Sequence, residues 1–476
     1  MRVSLIFPEI SCILLKMKKT LERGVDKMKV VKFGGSSLAS ATQLEKVVAI
    51  LQADPERRYV VVSAPGKRTE EDIKVTDLLL QIYDRLSQEL DASTLIEEVI
   101  SRYQAIADIF QLPSEIMKKI RDHFLKLSQL AIEENDFLRD TIVASGEDMN
   151  ARLVAGILNQ AGLTARYLHP RDFGLLVTAE PGNARIRHSS YSKMAKWKNS
   201  QEILVIPGFF GVTDTGQICT FSRGGSDISG SIVAAGVAAD LYENFTDVDG
   251  IYVAHPGIVH EPEMIEELTY REMRELAYAG FSVFHDEALM PSYRAKIPVV
   301  IKNTNNPTHP GTRITLDRTT HSRPVVGIAG DSGFVSLYIS KYLMNREVGF
   351  GRRVLQIFED FGLSYDHMPS GIDDISIILR ENQLTPVLEE ELLRTLAYEL
   401  DPDELRITHD LSILMVVGEG MRQRVGVTAE TTAALARKEI NLEMINQGSS
   451  EVSIMFAIHN EQKAKAIRAL YYTFFD

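Results

Sequence analysis

A short apolar run, Val30-Val31, leads into Lys32-Phe33-Gly34-Gly35-Ser36-Ser37, and a helix pattern begins at once. Leu44, Val47, Val48 and Leu51 recur at i, i+3, i+4 and i+7, one apolar helical face. Ser40 with Gln43, and Thr42 with Glu45, both fit a capping box at its start. The chain therefore reads strand, glycine turn, helix. Two adjacent glycines leave backbone N–H groups uncovered by any Cβ, and the helix N-terminus behind them adds positive dipole. Lys32 sets a cation at the rim. These residues fit a phosphate cradle, and they equally fit an ordinary tight turn between strand and helix. The rest of the chain has to separate the two.

The same alternation continues. Arg58 to Ser63 is a buried-strand pattern ending in the loop Ala64-Pro65-Gly66-Lys67. Residues 75–140 read as almost wholly helical, an insertion beside an α/β core. Ser145-Gly146-Glu147-Asp148 is expected to break the next helix as a turn. Arg166-Tyr167-Leu168, Ile203 to Ile206, Leu241 to Phe245 and Pro298 to Lys302 read as further strands, with a small-residue helix from Ile232 to Ala238. Strands alternating with helices imply a mainly parallel sheet covered on both faces, that is, a three-layer αβα domain. Such sheets bind ligands beyond the carboxyl ends of their strands, and each glycine-bearing loop falls there. Residues 28–303 are read as this domain.

Residues 304–323 read as a linker rich in Asn, Thr and Pro. Beyond it, from 324 to 476, the pattern repeats: Val335 with Ser412, Gly349 with Gly426 and Ile375 with Val452 are each 77 positions apart. Each copy reads as a ferredoxin-like βαββαβ module, about 331–408 and 409–476. The second lacks a closing strand, which residues 324–330 can supply, so the two modules are expected to be intertwined.

Composition narrows the function classes. Fifty-two basic against 65 acidic residues give a net charge of −13, the wrong sign for a nucleic-acid footprint. No apolar run is long enough to span a bilayer. The two cysteines, Cys12 and Cys219, form no Cys-x-x-Cys pair, which suits a reducing cytoplasm. Residues 1–27 are expected to be a poorly ordered extension, with Met17 and Met28 as alternative starts.

Three familiar signatures fail. Gly66-Lys67 lacks the rest of a Walker loop, Val354 replaces the third glycine after Gly349 and Gly351, and Ser226 lacks the second glycine of a hydrolase elbow. What remains is a set of loops with complementary charges. Arg223, inside Ser222-Arg223-Gly224-Gly225, offers a fork for a carboxylate. Gly225-Ser226-Asp227 opens a helix and suits a second anion, or is a plain N-cap. Glu147 suits an ammonium group, or is a solvated turn residue. Thr246-Asp247 and Asp249-Gly250 suit a nucleotide or Mg²⁺, or form an Asp-Gly turn. No histidine pair has zinc spacing, and no protein-held metal is expected.

Taken together, Lys32 to Ser37, Val60 to Ala64, Ser145-Gly146-Glu147, Phe221 to Asp227 and Thr246 to Tyr252 resemble, in order, the motifs of the amino-acid kinase superfamily, and within it the aspartokinases. The repeat resembles their paired ACT domains. The resemblance implies ATP-dependent phosphorylation of the L-aspartate β-carboxylate to 4-phospho-L-aspartate, the first step toward lysine, threonine and methionine. It implies that Lys32 neutralises the transferring phosphoryl group and Asp227 orients Lys32. Arg223 would hold the substrate α-carboxylate and Glu147 its amino group, with Ser63, Thr76, Phe209, Gly224, Gly225 and Ser226 lining the pocket. Lys32, Phe33, Gly34, Gly35, Ser36, Thr246, Asp247, Tyr252, Gly257, Ser282 and Val283 would contact the nucleotide, with Mg²⁺ carried mainly by its phosphates.

The chain departs from many relatives at two places. His255-Pro256-Gly257 stands where Asp-Pro-Arg is common, and Ser282 where a lysine is common, which leaves two cations to be replaced. Arg294, Lys296 and Lys302 are the candidates by sequence. The resemblance is to a monofunctional, Gram-positive-type subgroup. It implies feedback by lysine, in some members with threonine, through Met344, Gly349, Phe350, Ser364, Tyr365 and Asp366, and a homodimer formed through the ACT modules. The rival expectations are another superfamily kinase, or a non-catalytic amino-acid sensor that kept the fold.

Overall fold

The computed structural model describes residues 27–129, 136–222, 224–281, 286–318 and 323–476. The expected extension at 1–27 therefore lies outside the described residues, Lys27 excepted. The chain forms two compact units. One holds the described residues up to Asp249 with Glu287–Arg313, the other Gly250–Asp286 with Ile314–Asp476.

In the first unit, β1 (Lys29–Phe33), β2 (Arg57–Val62), β3 (Ala165–Tyr167), β4 (Ile203–Pro207), β7 (Leu241–Thr246) and β8 (Val299–Asn303) lie in the order β3-β4-β2-β1-β7-β8. Every neighbouring pair among these strands is parallel. A small antiparallel pair, β5 (Phe210–Val212) and β6 (Ile218–Thr220), stands apart. Side chains alternate across the sheet. Val31 and Phe33 of β1, Val60 and Val62 of β2 and Phe245 of β7 join one core with the helices Ala41–Gln52, Val75–Ser87, Ser93–Ile109, Ser114–Leu127 and Leu138–Gln160. Lys32 projects to the other face, where the helix Gly225–Val237 packs against β1, β2 and β7. Of the two possible caps on the first helix, Ser40 is used: its Oγ accepts from Gln43 N at 3.4 Å.

The expected turn at Ser145-Gly146 does not form. Helix Leu138–Gln160 runs through it unbroken, with 145–151 all buried. Gly146 serves close approach instead. A Cβ there would stand 2.9 Å from Ala64 Cβ and 3.1 Å from Leu79 Cδ1, and the Gly146 carbonyl accepts from Tyr103 Oη at 2.8 Å. Burial on nearly every side overrides the glycine's poor helix propensity.

In the second unit, β9 (Gly327–Ser340), β10 (Asp374–Arg380), β11 (Glu404–Val417), β12 (Met444–Asn446) and β13 (Ser453–His459) form one antiparallel sheet in the order β10-β9-β11-β13-β12. Strands β9 and β11 each serve both modules. Phe334–Ser340 pairs with β10 and with the first half of β11, while Gly327–Ser332 pairs with Ser412–Val417. Gly349 (φ +83°) and Gly426 (φ +99°) cap the corresponding helices, so the 77-residue offset is also a backbone offset.

Residues 250–286 cluster with this second unit rather than with the residues before them. Ile328 N donates to Val253 O at 2.7 Å. Glu272, buried within the Thr269 capping box, pairs with Arg318 at 2.5 Å and accepts from Glu419 N at 2.9 Å. The segment expected as a linker also carries a short strand, Thr312–Thr315.

Candidate functional site

Beyond the carboxyl ends of β1, β2 and β7 lies a cleft of about 800 Å³ in the first unit. Lys32, Gly34, Gly35, Ser36, Ser63, Thr76, Glu147, Phe209, Gly224, Gly225, Ser226, Asp227, Thr246 and Asp247 all line it. Five stretches far apart in sequence thus meet in one place, which a simple βα turn would not require.

Lys32 is buried, and its Nζ lies 2.5 Å from Asp227 Oδ1. Asn244 Nδ2 donates to the same oxygen at 2.9 Å. Lys32 and Asn244 are register partners on adjacent strands, so both reach Asp227 in the first turn of the facing helix. That helix is capped by Gly224 (φ +74°) rather than by Ser226 or Asp227. Sequence reasoning missed Asn244; its signal was a polar side chain inside an otherwise buried strand.

Glu147 projects from the unbroken helix rather than from a turn, and is only 4 % exposed. Burial pushes its carboxyl up to about 8, opposed in part by the Ala64 N–H. Its Oε2 has no hydrogen-bond partner among the described residues. A buried carboxyl with an unpartnered oxygen on a cleft wall suits a cation. Phe209 takes a left-handed backbone (φ +73°), held by its N–H donating to Ser229 Oγ at 2.9 Å. Such a conformation stores about 1 kcal/mol in a residue with a side chain. Ser63 sits at the end of β2, its carbonyl accepting from Asn150 Nδ2 at 2.6 Å. Thr76 lies in the first turn of its helix.

Not every expected residue reaches the cleft. The Phe33 ring is core, stacked on Phe245 at 5.1 Å. Thr246 Oγ1 donates to Asp247 Oδ1 at 3.1 Å, whereas Asp249 is taken up by Asn303 at 2.9 Å and Asn306 at 3.2 Å. Arg223, Ser282 and Val283 lie outside the described residues. Tyr252 and Gly257 belong to the second unit, Tyr252 bridged to Met264 and Gly257 N donating to His255 Nδ1 at 3.0 Å. Arg294, Lys296 and Lys302 do not line the cleft; Lys67, Arg68 and Lys74 do. Among the described residues, no cluster of three His, Cys, Asp or Glu side chains is arranged to hold a metal.

The expected effector residues lie in the first module. Met344 and Phe350 are buried in its core, Ser364 Oγ donates to Gln383 Oε1 at 2.9 Å, and Tyr365 is exposed. Asp366 is not a solvated strand-edge acid: Tyr278 Oη donates to it at 2.6 Å.

Residues 27–303 match the amino acid kinase family model, and 414–474 match an ACT domain model. Aspartokinase 3 of Bacillus subtilis is 53 % identical over 448 residues, spanning 94 % of this chain and 99 % of its own. The crystal structure of Clostridium acetobutylicum aspartate kinase, described as an allosteric enzyme, is 34 % identical with a TM-score of 0.82, covering 94 % of this chain and all of its own. Escherichia coli aspartokinase III, solved with aspartate and ADP, shares the fold at a TM-score of 0.75 and 23 % identity, over 94 % of this chain and 100 % of its own. No described helix is long and apolar enough to cross a membrane. With the family model spanning the glycine loop, Glu147 and Asp227, and a relative aligned along nearly its whole length, the chain belongs to the amino acid kinase family, among its aspartokinases.

Proposed function

We propose that the protein transfers the γ-phosphoryl group of ATP to the β-carboxylate of L-aspartate, giving 4-phospho-L-aspartate and ADP. The observation that carries the details is the convergence of the Lys32–Asp227 pair, the glycine loop and Glu147 on one cleft. A carboxylate with a reference pKa of about 3.9 is already ionised at neutral pH, so no general base is needed. The obstacle is repulsion between two anions, and catalysis is positioning plus cations.

Gly35 and Ser36 present backbone N–H groups to the phosphates, while the Gly34 N–H, donated to Phe245 O at 3.0 Å, holds the loop against β7. Lys32, held by Asp227, neutralises the transferring group as the acceptor oxygen forms its bond to phosphorus and the bond to the ADP oxygen breaks. Asn244 keeps Asp227 in place. Glu147 takes the substrate ammonium, Arg223 its α-carboxylate, and Ser63, Thr76, Phe209 and Ser226 wall the pocket. Thr246, Asp247, Tyr252, Gly257, Ser282 and Val283 serve the nucleotide. Mg²⁺, carried by the phosphates, supplies further charge neutralisation.

Regulation is read from the second unit. The E. coli enzyme has been solved with lysine and aspartate. For this chain we assign lysine, with threonine as the alternative, to the first module around Asp366, in a cytoplasmic homodimer. A hydroxamate assay with ATP, Mg²⁺ and L-aspartate tests the activity; no turnover would end this reading. Turnover indifferent to lysine and threonine would end the regulatory part alone.

A further inference from the structure

The cleft walls hold more positive charge than Lys32. Among the described residues, Lys67, Arg68 and Lys74 also line it, and their surroundings separate them. Arg68 is committed to Asp72, with Nε at 2.8 Å and Nη2 at 3.1 Å. Lys74 is an exposed N-cap at the far end of the loop. Lys67 is different, because Gly66 before it is fused to the glycine loop. Gly66 N donates to Gly35 O at 2.8 Å. A Cβ on Gly66 would meet Gly35 C and O and Ser36 N at 2.6, 2.7 and 2.8 Å, so only glycine fits.

The loop is also pinned from below. Arg102, 3 % exposed, sends Nη2 to Gly66 O at 2.6 Å, and Nη1 to Ile73 O at 3.0 Å and Asp72 Oδ1 at 3.1 Å. One buried guanidinium therefore anchors both ends of the turn 66–73. Lys67 itself is exposed, and among the described residues its Nζ donates only to the Glu70 carbonyl, at 3.1 Å. Glu70 lines the cleft too, but the ammonium is bonded to its backbone, and among the described residues two of its three donors have no partner. A solvated lysine would need neither the fused glycine nor the buried anchor.

We propose that Lys67 is a second phosphate ligand, its ammonium binding oxygens of the triphosphate seated on Gly34-Gly35, with Arg102 as the residue that positions it. This rests on the phosphotransfer reading above. The test compares Lys67→Ala, Lys67→Arg and Lys67→Glu with the parent, by calorimetric titration of ATP and ADP with Mg²⁺ and by steady-state kinetics. Lys67→Ala is expected to weaken ATP binding by about tenfold to a hundredfold. Lys67→Glu should weaken it further and Lys67→Arg restore most of it, with the KM for aspartate within about twofold of the parent. Arg102→Met should weaken ATP binding in the parent but add little in the Lys67→Ala background, whereas a merely structural role would add in both. Should Arg102→Met fail to fold, the exposed Lys67 variants decide alone. Parent-like ATP binding in Lys67→Ala overturns the proposal even if the enzyme turns over aspartate. Weakened ATP binding in a protein that never turns over aspartate would keep Lys67 and overturn the acceptor instead.

Discussion

Glu147 has to surrender a proton before it can hold an ammonium group. Burial pushes it up to about 8, so below that pH a bound ammonium must displace the proton. The KM for aspartate is expected to fall about tenfold per pH unit from about pH 6 to about pH 8 and then level off. The trend should vanish in Glu147→Gln; a flat profile in the parent would remove the ammonium assignment. Folding stability runs the other way. With a folded pKa raised above the ordinary carboxyl value of 4.5, the unfolded chain releases this proton first, so the group's contribution declines as pH rises from about 4.5 to about 8. Glu147→Gln should therefore melt higher than the parent at pH 8. Lys32→Ala should lower kcat by about 10² to 10³ while far-UV circular dichroism is unchanged; a kcat within twofold would refute its role. Lys32, Asp227 and Glu147 were legible in the sequence because each stands within two residues of a glycine, Gly34, Gly225 and Gly146 respectively. Asn244 and Arg102 have no such neighbour. They acquire meaning through strand register and burial, neither of which is written locally.

At the scale of elements, the parallel strands and the helical insertion could be read from apolar runs and period. The helix Leu138–Gln160 could not. Ser-Gly looked like a break, but the glycine is there to admit Ala64 and Leu79. Gly146→Val tests this. The Ala64 Cβ is fixed to the backbone and has no rotamer through which to yield, so overpacking should cost about 2 kcal/mol. The same push would disturb Ser63 and Ala64 on the cleft wall. The expected outcome is a lower thermal midpoint together with a raised KM for aspartate. A variant as stable as the parent would return Gly146 to the status of an incidental residue.

For the whole molecule, the 77-residue offset is enough to expect two repeated modules, because identical spacing of strand and glycine cannot arise from composition, and the strand missing from the second copy, with a spare one at 324–330, is what makes them intertwined. The position of residues 250–286 was not legible. No local pattern says which half of the chain the helix Tyr270–Tyr278 will join. That is decided by Arg318 and the Glu419 N–H meeting Glu272, 46 and 147 positions away. The shared strands carry a further expectation. A fragment of residues 324–476 keeps the partner of Ser412–Val417, and one of residues 334–476 does not. The shorter fragment should lose dispersed methyl resonances in both modules, and equal spectra would mean the second module closes without Gly327–Ser332.

The long strand Gly327–Ser340 has one more consequence, and it concerns ancestry. Its first part pairs with the C-terminal part of β11 and its later part with the N-terminal part, and the two parts share one backbone. Once a duplicated module contributes an edge to its twin, neither copy can be deleted without opening the other's sheet. A duplication of this kind cannot be undone by losing one copy, because each half's sheet is closed by a strand of the other.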